Sequence, residues 1–544
     1  MRNAPCLWLT LGIWCLVNPF LSTYAQIAPI PSSVLTTEKQ PALAEEEWTK
    51  QPVFTDIETA LKHPKQVFRL TVNNLQQLPV SIGKLTNLRE LIVSHGQLTE
   101  LPAVLTQLTH LRVLDVSNNA LRSLPSNMDR LANLHTLKLN HNQLDSLPQA
   151  LEQMPQLRVL QLINNQLTHL DKSFQQSLTL TDLQVRGNPI PHLLVSAQEL
   201  AQTKIFQDVE EALAHPEQVF QLQVSQGQSL PPELARLKHL QVLTLNHNGL
   251  TSLPAEIGQL TNLQHLSILN NQLTALPEEL GQLTQLKTLE VGFNKLQQLP
   301  ANLGKLPNLE MLSAPGNQLK DLPTSLGQLS RLKDLRLSGN QLGQLPKEMA
   351  GLVQLEKLDL SGNRLTQLPT ELGQLTNLKQ LGLSNNRLTQ LPAELGNLKS
   401  LTQLHLTGNG LQELPASIGH LPELQQLHLG SNQLSQLPSS IGELSKLTEL
   451  DLAKNQLTQL PASLGNLPQL QRLNLHANQL ESLPQEIGKL SQLQSLNVWG
   501  NPLKSLPTEL SQLKQLQELK LQQDKLPLAA QQQLKSSLWG TMVR

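Results

Sequence analysis

Cysteine is almost missing from this chain. Of 544 residues only Cys6 and Cys15 are cysteine, and both precede residue 25, so the rest can form no disulfide, no cysteine nucleophile and no thiolate metal site. Aromatic residues are scarce as well, at 2%; the core must therefore be aliphatic, and any exposed aromatic stands out. Charge of one sign is also absent. With 41 Lys+Arg against 42 Asp+Glu, there is no positive field to gather nucleic acid or an anionic membrane. No GxxxxGK[ST], HExxH, CxxC or GxSxG occurs, so catalytic residues, cofactor and metal are all assigned as none and the chain is expected not to be an enzyme.

Long hydrophobic runs are missing too. After Met1-Arg2-Asn3, the stretch 6–17 is mostly apolar, Asn18-Pro19 breaks it, and a small residue follows at Ala25. A run of about a dozen apolar residues is too short for a span of about 20 and fits a cleaved secretory signal. The expected organisation begins with a signal peptide over 1–25 and a linker over 26–53. Export is expected to the periplasm, the cell surface or the medium, with no stable membrane span after cleavage.

What the chain does have is a repeat. Leu-Pro recurs every 23 residues from Leu230 to the pair at Leu506, thirteen times without a slip, and four more times at the same spacing at Leu78, Leu101, Leu124 and Leu147. The unit LEKLDLSGNRLTQLPTELGQLTN, beginning at Leu355, gives the consensus LxxLxLxxNxLxxLPxxLGxLxx. Such self-similarity signals a solenoid. Leu358 and Leu360 alternate with polar residues, so they point inward on a short extended segment that stacks on its neighbours as parallel sheet. An amide then recurs in the turn: Asn248, Asn271, Asn294, Asn317, Asn340, Asn363, Asn386, Asn409, Asn432, Asn455, Asn478 and Asn501. A short amide tolerates unusual backbone angles and satisfies buried backbone groups, so these residues are expected to form a structural ladder. Pro369 restricts the return path and Leu372-Gly373 is expected to let it bend, giving short helical or 3₁₀ turns on the outer side.

On these motifs the chain resembles the leucine-rich repeat family, in the 23-residue LPxxLGxLxxL subtype as found in exported bacterial proteins, over about 70–526. The resemblance implies an α/β solenoid: a right-handed curved superhelix with short parallel strands on the concave face and short helical turns on the convex face. At about 4.8 Å between strands, thirteen units make an arc on the order of 60 Å. The family architecture in general serves recognition, so the resemblance implies a non-enzymatic scaffold that holds a protein or peptide on its concave face. The alternatives are a cytoplasmic signalling scaffold with an unprocessed N-terminus and a surface adhesion or envelope protein.

One segment follows another rule. FTDIETALKHPKQVFRL, from Phe54, returns as FQDVEEALAHPEQVFQL, from Phe206. Thr55 and Glu58 read as a capping box, and His63-Pro64 closes a short helix ahead of a strand over 67–72. The segment therefore reads as a cap over the exposed end of a strand stack. Its second copy, with the helix near 206–218, predicts that a first array over 54–200 ends and a second over 201–544 begins. A closing helix is expected over 528–539, within a C-terminal cap over about 526–544.

Successive units place the residue between the two strand leucines in one outward column that includes Glu290, Arg336, Asp359, His405, His428 and Asp451. His405, His428 and Asp451, with His476 one column away, are reasonable metal ligands by type, but side chains on a flat ladder are expected to diverge. Arg336 and Asp359 read as a solvated cross-strand pair. The stronger binding signal is apolar: Phe293, Met311, Pro315 and Trp499 occupy outward places where other units carry small or polar residues, and such side chains anchor protein contacts.

Overall fold

Each 23-residue unit closes one coil, and the coil beginning at Leu355 shows how. The computed structural model of the chain describes residues 47–171, 174, 179–190, 195, 197–224, 230–522, 526–527 and 542–543. Lys357–Asp359 is a strand, with Leu358 inward and its neighbours facing out. Pro369, at φ −67°, leads into the 3₁₀ turn Thr370–Gln374, and its carbonyl accepts from the Leu372 amide at 3.1 Å. Leu355, Leu358, Leu360, Leu365, Leu368, Leu372 and Leu375 are all buried. One coil thus sends seven leucines into a shared core, where each contributes about 1.5–3 kcal/mol of apolar burial.

Two details depart from the sequence reading. Gly373 lies within the 3₁₀ turn Thr370–Gln374 as expected, but crowding is what calls for a glycine: a methyl group there would stand 2.3 Å from the Glu394 carbonyl oxygen, so the glycine permits close approach of the next coil. The unusual backbone angle belongs to the residue before each ladder asparagine, as at Gly362 (φ 68°), Asn385 (φ 56°) and Phe293 (φ 57°). The asparagine itself does the bonding. Asn363 Nδ2 donates to the Leu337 and Leu360 carbonyls, both at 2.9 Å, and its Oδ1 accepts from the Leu342 amide at 3.0 Å. The first array carries its own ladder at Asn119, Asn142, Asn165 and Asn188, in the same pattern.

Among the described residues the strands form two parallel sheets, one of seven strands and one of sixteen, each in chain order. Pairing never slips: Thr244, Ser267, Glu290, Ser313, Arg336 and Asp359 are successive partners, and the column continues through His405 and His428 to Asp451. Each sheet begins with a two-residue strand that the sequence reading overlooked, Val53–Phe54 or Ile205–Phe206. Val53 pairs with Arg69 and Ile205 with Gln221, a coil of 16 residues in both copies. Within it lie the helices Ile57–Lys62 and Val209–Ala214. Their N-caps are Asp56 and Asp208, whose carboxylates accept from Thr59 N at 2.7 Å and Glu211 N at 2.8 Å. The first helix therefore starts one residue later than a Thr55 cap requires, because aspartate at the cap reaches the free amide of the first turn. The repeated segment is a starter coil.

Between the sheets the ladder stops. In regular coils the amide after the strand pairs with the next coil, as Leu162 N does with the Gln184 carbonyl at 2.7 Å. At the equivalent place, Val185, a side chain substitutes. Glu199, on the short helix Ala197–Leu200, is 2% exposed, and its Oε1 accepts from Val185 N at 3.0 Å and Arg186 N at 3.2 Å. Apolar packing nevertheless crosses the join. Phe220, in the second copy, belongs to the first array's core and stacks on His239, whose Nε2 lies 3.1 Å from the Ile190 carbonyl.

The expected signal and most of the linker lie outside the described residues, as does the closing helix over 528–539. Met542–Val543 adds a parallel strand beside Glu518–Lys520.

Candidate functional site

The outward column is where the sixteen-stranded sheet differs from coil to coil. At Gly382 the column loses its side chain, and the gap opens a basin of about 460 Å³ lined by Asp334, Arg336, Lys357, Asp359 and His405, among others. Asp359 leans into that gap: a methyl group on Gly382 would stand 2.6 Å from Asp359 Oδ1, the same oxygen that accepts from Ser361 N at 3.0 Å. Arg336 is not paired with Asp359, its register partner. It makes a two-pronged contact with Asp334 on its own strand, Nε to Oδ1 at 3.0 Å and Nη2 to Oδ2 at 2.7 Å. That hydrogen bond holds the guanidinium above its ordinary pKa against the opposing effect of burial. Asp359 is thus left facing the basin.

Beyond Gly382 the histidines do not diverge. His405 Nδ1 and His428 Nδ1 are 3.1 Å apart, with the rings edge to face at 4.7 Å. His428 Nε2 lies 3.4 Å from Glu449 Oε1, within ion-pair reach but longer than a well-made hydrogen bond. Asp451 and His476 do not join them: Asp451 Oδ1 accepts from Ala453 N at 3.1 Å, and His476 Nδ1 faces the Trp499 carbonyl at 3.0 Å. Among the described residues, no set of three or more His, Cys, Asp or Glu side chains stands where it could hold a metal ion.

The apolar residues fall in three separate places. Phe293 is 56% exposed, and its ring lies over Gly316, where a methyl group would stand 2.7 Å from Cδ1. Pro315 covers Gly292 beside it. Met311 starts its strand, four residues before Pro315, paired in register with Thr288, so it lies apart from Phe293 along the sheet. Trp499, 43% exposed, forms a shallow hollow with His476, Asn497 and Lys520. Glu290 occupies the outward column two strands before Arg336.

Parallel strands, 3₁₀ return paths and an asparagine ladder at a period of 23 describe one architecture, and the model of the leucine-rich repeat region matches 60–204 and, in overlapping segments, 218–537. The chain belongs to the leucine-rich repeat family. It is similar to a leucine-rich repeat protein of Leptospira interrogans at 31% identity, over 91% of this chain and 100% of that one, with a TM-score of 0.51. It also aligns with YopM from Yersinia enterocolitica (29% identity, 86% and 88% covered, TM-score 0.40). A third alignment is with the ectodomain of the Arabidopsis thaliana receptor kinase GASSHO1/SCHENGEN3, solved with CASPARIAN STRIP INTEGRITY FACTOR 2 (27%, 87% and 68%, 0.43). No curated protein matches the sequence. The leucine-rich repeat fold is consistent with a protein-binding scaffold, a role that is typically non-enzymatic. No helix among the described residues is long and apolar enough to cross a membrane.

Proposed function

We propose that this leucine-rich repeat protein is an exported scaffold that holds a protein or peptide along the concave strands of the sixteen-stranded sheet. The observation that carries the reading is Phe293. It is 56% exposed at the turn place where other coils carry glycine, asparagine, serine or lysine. Leaving that much of an aromatic ring in solvent does not stabilise the chain alone, whereas it suits an apolar anchor for a partner. The basin holding Asp359 and His405, a few strands on, supplies polar contacts for the same ligand, with Met311, Glu290, Arg336, His428 and Asp451 on the sheet between and beyond; Trp499 and its hollow form a second anchor.

Peptides selected from a displayed random library on the intact chain provide the test. Phe293→Ala is expected to weaken their binding at least tenfold, about 1.4 kcal/mol, while Val80→Ala, on the outer turn Val80–Lys84, leaves it unchanged. Equal binding by both variants would remove the anchor. Export is supported by the 1–25 reading alone, and N-terminal sequencing of the mature protein should begin near residue 26. A retained Met1 in the cytosol would overturn export and leave the binding reading standing.

A further inference from the structure

We propose that His405 and His428 form a two-imidazole site for a divalent transition metal such as Cu²⁺, Ni²⁺ or Zn²⁺. Their Nδ1 atoms are 3.1 Å apart. An ion about 2.0–2.1 Å from each nitrogen would see them at roughly 100°, between the square-planar and tetrahedral angles. Two neutral rings cannot hold facing lone pairs at that distance unless something positive lies between them. Without a metal it is a proton: one Nδ1 carries hydrogen and donates to the other.

Glu449 decides which ring donates. Its carboxylate lies beside His428 Nε2 and is itself fixed by Arg472, whose Nη2 donates to Oε2 at 2.6 Å. The ionised carboxylate favours hydrogen on His428 Nε2, which leaves His428 Nδ1 as a lone pair. A carboxylate behind a ligating imidazole is the arrangement that orients such ligands and raises their basicity. With a lone pair on His428 Nδ1, the hydrogen between the rings sits on His405 Nδ1. Metal entry requires only that the His405 hydrogen move from Nδ1 to Nε2, with no net proton released. His405 also lines the basin above Gly382, which leaves room for water or a partner's oxygen or nitrogen at the remaining positions.

The site does not depend on the peptide reading, because the metal is titrated into the chain alone. Competition against a chelator with ZnCl₂ and NiCl₂ is expected to find one site per chain that His405→Gln and His428→Gln each remove. Glu449→Gln should weaken it about 10- to 100-fold, and His476→Gln should leave it unchanged. With Cu²⁺, the electron paramagnetic resonance spectrum should show hyperfine coupling to two imidazole nitrogens. Both histidines are at the sheet surface, and matching circular dichroism of the variants establishes that they fold. Undiminished binding by a His405→Gln, His428→Gln double variant, or a Cu²⁺ spectrum lacking the two nitrogens, would overturn the proposal.

Discussion

Replacing Asn363 by alanine is expected to destabilise the second array by about 1–3 kcal/mol, more than its small change in volume suggests. The amide is 6% exposed and serves three backbone groups on two coils, the Leu337 and Leu360 carbonyls and the Leu342 amide. A buried polar group stripped of its partner costs roughly 1–3 kcal/mol; alanine strips the Leu342 amide outright, whereas the Leu337 and Leu360 carbonyls each lose one of two amide donors and keep Asn340 Nδ2 and Asn386 Nδ2, both at 3.0 Å. Water can relieve part of that loss at a coil surface, which sets the lower figure. Asn363→Asp should be no milder, since an ionised carboxylate cannot donate to either carbonyl. Arg364→Ala, at the exposed neighbour, should change stability by no more than about 0.5 kcal/mol. Urea unfolding compares the three, and native-state hydrogen exchange of the Leu342 amide reports the local loss. Equal midpoints for Asn363→Ala and Arg364→Ala would show that the ladder is not what joins the coils.

The join between the arrays is expected to weaken as pH rises, the reverse of ordinary acid denaturation. Burial pushes the Glu199 carboxyl up to about 7, against the lowering effect of its hydrogen bonds from Arg186 and Val185. The folded chain therefore holds that proton more tightly than the unfolded chain, whose carboxyl titrates near 4.5. Its contribution is full below pH about 4.5 and is lost as pH climbs to about 7, by roughly 3 kcal/mol in all. Glu199→Gln keeps an oxygen to accept from both amides and cannot ionise. The variant should be more stable than the parent at pH 8 and comparable at pH 4. Thermal unfolding across that range, read as the difference between the two proteins, isolates the carboxyl from all others. A constant difference would mean that Glu199 is ionised throughout and stabilised by its two donors.

A constant period made much of this molecule legible. Because 23 residues separate equivalent positions, the outward column, the register and the ladder could be placed by counting, and seven leucines per coil leave the core no other face. The starter coils were half legible: Asp56 and Asp208 announce their helices, but two residues at Val53–Phe54 are too few to show a strand by alternation. Side-chain choices were not legible at all. Whether Arg336 turns to Asp334 or Asp359, and whether His405 turns to His428, depends on rotamers and on the missing side chain at Gly382, which spacing does not encode. Glu199 was overlooked because a single acid in an irregular stretch looks like surface until the strand end that it closes is seen.

Hydroxyl-radical footprinting of the chain with a selected peptide tests most directly whether the sheet face is the one that binds. Protection is predicted at Phe293 and around the basin of Asp359 and His405, with the outer 3₁₀ turns as reactive as in the free chain. Protection confined to those outer turns, with Phe293 as reactive as before, would contradict it.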